Sequence, residues 1–281
     1  MTQVATLIVD VNSVASNIDD PNVVIVDARG IMPYRFKHIK NSRPVGVECV
    51  ISIADNGANL VIDAATAEKV FSSLGIDDSK TVVVYGESVD PSAARIVWTL
   101  MYHGHPNVKL LNIGFSEWHR AGYPVTREVI RAESQEKPIE LAIAGGSSGA
   151  GPTPIFKSKI NQAIRADADY VKTKQTDPNV VIIDARTPQE HFAARIPNSV
   201  LDNWEEGLGF GHSGVMIKSQ TELETHFREK GIPKDKEIIC YCHVGMRASH
   251  KYLQFKHAGY DRVKVYDGSI VDWAQRRNPL K

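Results

Sequence analysis

One short segment of the sequence brings together residues that suit nucleophilic chemistry. It reads EIICYCHVGMRASHKYLQF over residues 237–255 and contains Cys242 and Arg247, with four residues between them. The apolar run before Cys242 predicts a strand that this cysteine ends, and the pattern from Ala248 onward predicts a helix. Backbone N–H groups at a helix N-terminus and a nearby cation favour the thiolate, which is the nucleophilic form of cysteine. The segment therefore predicts Cys242 as a catalytic nucleophile.

The residues between the predicted strand and the predicted helix, HVGMR, form a loop that can hold an anion. Gly245 allows the backbone N–H groups of this loop to turn inward, and inward-facing N–H groups make an anion-binding nest. Arg247 adds a fixed positive charge to the same loop. The residues expected to bind a substrate here are His243, Val244, Gly245, Met246 and Arg247.

The two other cysteines of the chain are predicted to be structural. Cys240 lies two residues before Cys242, so its side chain points to the same face of the predicted strand, one step deeper. A buried thiol is its expected role, and a redox partner of Cys242 is the alternative. Cys49 has no partner in the sequence and is expected in the core. Cys240, Cys242 and His243 lack the second ligand pair of a zinc site, so no metal is expected.

A second feature of the sequence is a repeat that covers most of the chain. DPNVVIVDAR at residues 20–29 and DPNVVIIDAR at residues 177–186 are identical at nine of ten positions. TVVVYG at residues 81–86 then parallels EIICYC at residues 237–242, at nearly the same offset. A period this long indicates two homologous domains rather than a solenoid, whose repeats are about 20–50 residues long.

Each copy of the repeat has the pattern of an α/β domain. Short β-branched runs such as VVIVDAR and TVVVYG are typical of buried parallel strands, and helical windows such as TAEKVFSSLGI and ELETHFREKGI end at a glycine. We therefore predict two homologous α/β domains, each a parallel sheet flanked by helices on both faces. Ligands of such sheets bind at the carboxyl ends of strands, where Asp184 and Cys242 fall. The predicted ranges are 1–130 for the first domain, 131–157 for a linker around GGSSGAGPTP, and 158–281 for the second domain.

The composition argues against several classes of protein. The 281 residues contain 33 Lys and Arg against 33 Asp and Glu, and this balance argues against binding to nucleic acid or to a membrane surface. No apolar stretch approaches the roughly 20 residues that span a bilayer, and the N-terminus lacks the basic region of a secretory signal. Three cysteines do not make a disulfide framework. The expected location is therefore the cytoplasm.

The motifs of both halves resemble those of the tandem-domain rhodanese family of thiosulfate and 3-mercaptopyruvate sulfurtransferases. The resemblance rests on YCHVGMRASH, on the domain endings LNIGFSEW and VYDGSIVDW, and on KHIKNSR and ARIPNSV after each Asp-Ala-Arg. It implies a persulfide on Cys242 in the second domain and an inactive first domain, in which Gly86 takes the matching position. It also implies thiosulfate as sulfur donor, with cyanide, a cellular thiol or a thioredoxin-like protein as acceptor. No cofactor is implied, and a monomer is expected.

The resemblance adds candidate residues outside the loop. Asp184 is expected near the pocket, where it helps to hold the loop, and a strand-end cap is the alternative. Arg186 is a candidate substrate contact, with a structural clamp as the alternative, and Trp204 is either a pocket wall or a packing residue. Thiosulfate and mercaptopyruvate enzymes of the family commonly have an arginine at the position of Glu190. An anionic substrate is therefore expected to lose one cationic contact in this chain.

Three other functions stay open on the sequence alone. They are a 3-mercaptopyruvate sulfurtransferase, a persulfide carrier or interaction module that does not turn over, and a phosphatase or arsenate reductase. Phosphatases of this fold place five residues between their cysteine and arginine, because a tetrahedral phosphate needs a wider ring of N–H groups. Only four residues separate Cys242 from Arg247 here. The shorter loop favours the transfer of a single sulfur atom and disfavours a phosphatase.

Overall fold

Both sequence repeats fold as α/β units in a computed structural model, which describes residues 7–129, 155–211 and 214–281. The chain divides into two units. The first comprises Met1–Val50 and Ile62–Ile160, and the second comprises Ile51–Val61 and Asn161–Lys281. A short segment of the first repeat, Ile51–Val61, therefore belongs to the unit that carries Cys242.

The strands and helices of the first repeat follow the predicted alternation. In chain order they are β1 (Ile8–Val9), α1 (Val11–Ser16), β2 (Val23–Asp27), α2 (Ile31–Phe36), β3 (His38–Ile39), β4 (Ser42–Pro44), β5 (Ile51–Ile53), β6 (Asn59–Val61), α3 (Ala64–Ser73), β7 (Thr81–Tyr85), α4 (Ser92–Tyr102), β8 (Val108–Leu111), α5 (Phe115–Arg120) and β9 (Val125–Thr126). Five of them form a parallel sheet in the order β1-β8-β7-β2-β4.

The second repeat has the same plan. Its elements are β10 (Arg165–Ala166), α6 (Ala168–Lys174), β11 (Val180–Asp184), α7 (Pro188–Ala193), β12 (Val200–Leu201), β13 (Leu208–Gly211), β14 (Gly214–Ile217), α8 (Gln220–Glu229), β15 (Glu237–Tyr241), α9 (Met246–His257), β16 (Val263–Tyr266) and α10 (Ser269–Gln275). A parallel sheet runs in the order β10-β16-β15-β11-β12, so β15 is its central strand. The predicted fold class, two α/β domains that each have a parallel sheet flanked by helices, is confirmed.

Local sequence signals account for the bounds of the helices. Helix α3 begins after Asp63, whose side chain accepts the Thr66 N–H at 2.7 Å, and the chain leaves this helix at Gly75, where φ is +66°. Helix α8 likewise begins with a capping box at Ser219 and is followed by Gly231 at φ +69°. The predicted glycine stops are therefore confirmed.

A buried tryptophan takes the same position in the core of each repeat. Trp118 and Trp273 are fully buried, and each indole N–H donates to the carbonyl of a proline six residues later, Pro124 at 3.1 Å and Pro279 at 2.8 Å. This hydrogen bond explains why both repeats end with a tryptophan and a proline at the same spacing. Cys49 departs from its prediction: it is half-buried rather than part of the core, because it lies in a 3₁₀ turn (Val47–Val50) beside the exposed Glu48.

Most of the predicted linker, 131–157, lies outside the described residues. Its last part is described, and there Phe156 is fully buried and its N–H donates to the Ser72 hydroxyl at 3.0 Å. Phe156 therefore packs within the first unit. None of the helices in the described ranges combines the length and the apolar character that crossing a membrane requires.

Candidate active site

Cys242 lies at the carboxyl end of the central strand of the second sheet. Strand β15 is flanked by β16 and β11, and Cys242 directly follows its last residue, Tyr241. The prediction that Cys242 ends the strand is wrong by one residue, because its N–H leaves the sheet and donates to the Ser269 hydroxyl at 3.0 Å. The residue is only 1% exposed. The residue is therefore almost completely enclosed by the protein.

Gly245 turns the chain from the strand into the helix that follows. Its φ is +90°, a left-handed conformation that glycine adopts without a Cβ clash. The N–H of Gly245 points back and donates to Sγ of Cys242 at 3.1 Å. Helix α9 therefore begins at Met246, two residues before the predicted start at Ala248, and Arg247 lies in the first helical turn.

The segment after β16 also holds the cysteine loop, a contact that the sequence patterns do not predict. The Ser269 hydroxyl accepts the N–H of Cys242, and its oxygen lies 3.9 Å from Sγ. The Ile270 N–H donates to the Cys242 carbonyl at 3.2 Å, and the Val271 N–H donates to the His243 carbonyl at 3.4 Å. The sequence signal for this contact is the Asp-Gly-Ser segment that follows β16. Because β16 lies next to β15 in the sheet, a polar segment at its carboxyl end lies close to Cys242.

Arg247 forms a bidentate ion pair with Glu190. Its Nη1 and Nη2 lie 2.6 Å and 2.8 Å from the two carboxylate oxygens, and hydrogen bonding to this guanidinium lowers the pKa of Glu190 to about 2. Glu190 also completes the capping box of α7, where it accepts the Thr187 N–H at 3.1 Å. Glu190 therefore has two effects. It removes the cationic contact that an arginine at this position would provide, and its carboxylate neutralises the positive charge of Arg247.

The other predicted loop residues differ in exposure. His243 is exposed, Val244 and Met246 are half-buried, and Gly245 is buried. His243, Val244 and Gly245 form the turn between Cys242 and α9, as the sequence predicts, whereas Met246 is already the first residue of the helix. Which of them contacts a substrate stays a prediction.

Asp184 is the centre of a buried hydrogen-bond network at the end of β11. Its carboxylate accepts Nε and Nη2 of Arg186 at 2.9 Å and 2.7 Å and the Tyr241 hydroxyl at 2.7 Å, and it lies 2.9 Å from Nδ1 of His191. Nη2 of Arg186 also donates to the Ala194 carbonyl at 2.7 Å. These contacts join β11 to β15 and to α7, as expected for a cap and a clamp. A role of either residue in substrate binding stays a prediction.

The first repeat contains the same contacts among aspartate, arginine and tyrosine. Asp27 accepts Nε of Arg29 at 3.0 Å, Nη2 of Arg29 at 2.6 Å and the Tyr85 hydroxyl, and Nη2 also donates to the Lys37 carbonyl at 2.8 Å. Gly86 follows the strand here, at the position that Cys242 takes in the second repeat. Because these contacts occur with and without a cysteine, they belong to the framework of the domain.

Asparagine substitutions at the two clamp aspartates should separate stability from reactivity. Asp184→Asn and Asp27→Asn each leave a buried arginine without its carboxylate, so each should lower the free energy of unfolding by about 3 kcal/mol. The rate at which iodoacetamide alkylates Cys242 should stay close to that of the unchanged protein in both variants. Denaturant unfolding and mass spectrometry measure the two quantities. A loss of reactivity in the folded Asp184→Asn variant alone would show instead that Asp184 acts on the pocket.

Cys240 is fully buried in β15, which confirms the predicted burial. Burial raises the pKa of its thiol well above the usual range. A thiol kept protonated in this way is a poor nucleophile. The structural role is therefore favoured over the redox alternative.

Trp204 packs against helix α9. Its ring meets His250 edge to face at 4.8 Å between centroids, and its carbonyl accepts Nε2 of Gln254 at 2.7 Å. Burial lowers the pKa of His250 to about 3, so this imidazole is neutral. The contacts show a packing residue that supports the helix following the cysteine loop.

A charged cluster lies beside the same helix. Lys251 is fully buried and lies 2.7 Å from Asp202, which is also 2.7 Å from Nε2 of His226 and 3.5 Å from Nζ of Lys230. Asp202, Glu206 and His226 are residue types that can bind a metal, and their polar atoms lie within 4.8 Å of one another. Two lysines already balance the charge of Asp202, so this arrangement suits an ion-pair network better than a cation.

Known proteins resemble this chain over both repeats. The family described as Rhodanese-like domain matches residues 10–121 and 167–276, which together make up more than half of the chain. The sulfur carrier protein TtuD of Thermus thermophilus is 27% identical, over 95% of this chain and 93% of that protein. A thiosulfate sulfurtransferase of Pseudomonas aeruginosa is 25% identical, again over 95% of this chain and 93% of that protein.

A solved structure supports the same fold. SseA of Escherichia coli, a 3-mercaptopyruvate sulfotransferase with the rhodanese fold, superimposes with a TM-score of 0.77 over 94% of this chain and 99% of that chain. The two sequences are 24% identical. The likeness thus supports the rhodanese fold over 94% of the chain.

Proposed function

The chain belongs to the rhodanese family of sulfurtransferases, and we propose that it transfers the outer sulfur of thiosulfate through a persulfide on Cys242. The geometry of this thiol carries the proposal: Sγ accepts the Gly245 N–H at 3.1 Å, at the end of the central strand. The matching residue of the first repeat is Gly86, which has no side chain that could react. The second unit is therefore the proposed catalytic domain, and the first is proposed to be inactive.

The proposed reaction has two steps with one enzyme-bound intermediate. The Cys242 thiolate attacks the outer sulfur of thiosulfate, a new S–S bond forms, and sulfite leaves with the electron pair of the bond that breaks. Cyanide then attacks the outer sulfur of the persulfide, so that thiocyanate leaves and the thiolate is regenerated. A cellular thiolate can accept the sulfur in the same way and become a persulfide. The atoms and electrons of these two steps balance without a metal, an organic cofactor or an added oxidant.

Backbone donors around the thiol support this chemistry. The Gly245 N–H already donates to Sγ, and the N-terminus of α9 directs further N–H groups toward the same loop. Donors of this kind stabilise a negative charge wherever it develops on sulfur. His243, Val244 and Met246 are proposed to line this nest through their backbone, with Asp184 and Arg186 holding the strand end beneath it.

The donor is proposed to be thiosulfate, with 3-mercaptopyruvate as the alternative. Thiosulfate is a compact dianion and sulfite is an anionic leaving group, so a guanidinium beside the thiol favours both its binding and its cleavage. Arg247 is the cation of the loop, and Glu190 opposes it by occupying Nη1 and Nη2. The Pseudomonas aeruginosa relative, a thiosulfate sulfurtransferase, supports the choice of donor.

A second candidate function is that of a sulfur carrier that delivers its persulfide to a partner. The relative named as a sulfur carrier protein in Thermus thermophilus supports it, because it aligns with nearly the whole chain. A thioredoxin-like protein is the proposed type of partner. We propose a monomer in the cytoplasm for either function.

Donor kinetics and intact mass together test the proposal. With cyanide as acceptor, kcat/KM should be higher for thiosulfate than for 3-mercaptopyruvate, and incubation with thiosulfate alone should add one sulfur atom to the protein. A carrier would gain the sulfur atom and then release it only to a partner, without turnover on cyanide. An aryl phosphate, as control, should stay unhydrolysed because the loop is short. A clear preference for 3-mercaptopyruvate would contradict the proposed donor.

A further inference from the structure

The β5–β6 hairpin (Ile51–Val61) is encoded in the first repeat but belongs to the unit that carries Cys242. We propose that this hairpin is a positioning element for the cysteine loop, acting through Asp267 and Asp272. The inference rests on the proposed function in one respect only: it takes Cys242 as the reacting thiol. It assigns a positioning role to part of the repeat that has Gly86 at the position matching Cys242.

Two hydrogen bonds join the hairpin to the segment that follows β16. The N–H of Val61 donates to Oδ2 of Asp267 at 2.8 Å, and Nδ2 of Asn56 donates to Oδ1 of Asp272 at 2.7 Å. Both carboxylates are almost completely buried. A hydrogen bond to a buried charged group is stronger than one at the surface, so these two contacts hold the segment firmly.

The Asn56 side chain is already oriented for this contact. Its Oδ1 accepts the Ala58 N–H at 3.1 Å within the hairpin turn, where Gly57 has φ +79°. This bond directs Nδ2 away from the turn, toward Asp272. An amide fixed in this way loses little side-chain freedom when it donates, so more of the bond energy is retained.

The segment between the two carboxylates is the one that binds the cysteine loop. Ser269 is fully buried and has φ +54°, a left-handed conformation that costs free energy for a residue with a Cβ. Its hydroxyl accepts the N–H of Cys242, and the two following amides donate to the carbonyls of Cys242 and His243. A strained conformation persists only where its surroundings hold it, and Asp267 and Asp272 lie on either side of it.

Each carboxylate is shared between the hairpin and its own domain. Asp267 also accepts Nε of Arg165 at 3.0 Å, and Asp272 accepts the Tyr266 hydroxyl and Nε of Arg276, both at 2.8 Å. Each aspartate therefore keeps a partner within the second repeat when the donor from the hairpin is removed. The hairpin adds one further donor to each, which restrains the segment that carries Ser269.

The test is to remove the Asn56 donor and follow the thiol directly. In Asn56→Ala the loop should open more often, so alkylation of the 1% exposed Cys242 by iodoacetamide should become about tenfold faster. Sulfur transfer should show a kcat about tenfold lower, with KM nearly unchanged. Asn107→Ala is the matched control, because Nδ2 of Asn107 donates to the Thr81 hydroxyl at 2.6 Å in the first unit. This control should change neither rate.

Exchanging the side chains of residues 56 and 272 distinguishes a positioning role of the hairpin from a general loss of stability. Asn56→Asp places two carboxylates against each other and should impair turnover more than Asn56→Ala does. Adding Asp272→Asn to it restores a donor facing an acceptor, with the roles reversed. It should recover part of the lost kcat, because Arg276, whose Nε donates to the same Oδ1 of Asp272, loses its ion pair in this variant. Unchanged alkylation and kcat in Asn56→Ala, or equal changes in Asn107→Ala, would overturn the proposal. If the unchanged protein forms no persulfide, the proposed function fails, and the alkylation rates still decide the role of the hairpin.

Discussion

Replacing Cys242 by serine should reduce sulfur transfer to the uncatalysed background, a loss of roughly 10⁴-fold or more in kcat. An alcohol at this position cannot hold a persulfide, and serine is a far weaker nucleophile than a thiolate at neutral pH. The Cys242→Ser variant should also gain no sulfur atom when incubated with thiosulfate, as intact mass would show. The fold should persist, because the N–H of residue 242 can still donate to Ser269.

Cys240→Ser is the matched control for this substitution. Cys240 lies two residues earlier in the same strand, fully buried, so the variant makes the same chemical change away from the loop. It should keep most of its turnover and lose about 1–3 kcal/mol of stability, because it buries a hydroxyl in an apolar site. Equal inactivation by both substitutions would contradict the structural role of Cys240 and would point to a pair of redox-active thiols.

Arg247→Ala should lower kcat/KM for thiosulfate by roughly ten- to a hundredfold, which corresponds to the 1.5–3 kcal/mol of a charge-assisted hydrogen bond. The substitution removes the cation of the loop and leaves Glu190 unpaired beside the thiol. An unpaired carboxylate repels a dianion, so both changes act in the same direction. Turnover with 3-mercaptopyruvate, which carries a single negative charge, should fall less.

Glu190→Gln should have the opposite effect and raise kcat/KM for thiosulfate. Glutamine can keep the capping box of α7, because its side-chain oxygen still accepts the Thr187 N–H, but it no longer neutralises Arg247. The freed guanidinium should lower KM for thiosulfate by a few-fold, and the variant that combines Glu190→Gln with Arg247→Ala should fall between the two single variants. A loss of thiosulfate efficiency in Glu190→Gln as large as in Arg247→Ala would show that the ion pair mainly braces the loop.

The sequence by itself determines the duplication, the α/β alternation and the position of the thiol that is proposed to react. All three depend on local information: β-branched runs mark buried strands, a glycine ends a helix, and a cysteine after such a run lies at the carboxyl end of the sheet. Even the clamp of Asp184 and Arg186 is local, since the two residues are only two positions apart in the Asp-Ala-Arg motif. That Gly86 takes the position of Cys242 in the first repeat follows from comparing one repeat with the other.

Only the tertiary structure decides which distant groups meet around the thiol. Glu190 and Arg247 are 57 positions apart, and Asn56 and Asp272 are 216 positions apart, so no local pattern pairs them. The start of α9 at Met246 also depends on the φ of Gly245, which the spacing of apolar residues does not report. Hydrophobic periodicity records which side of an element is buried, whereas these contacts depend on the neighbour that each strand end meets when the sheet is assembled. For this reason the sequence predicts the nucleophile, and the folded chain determines the charge and the rigidity of the loop around it.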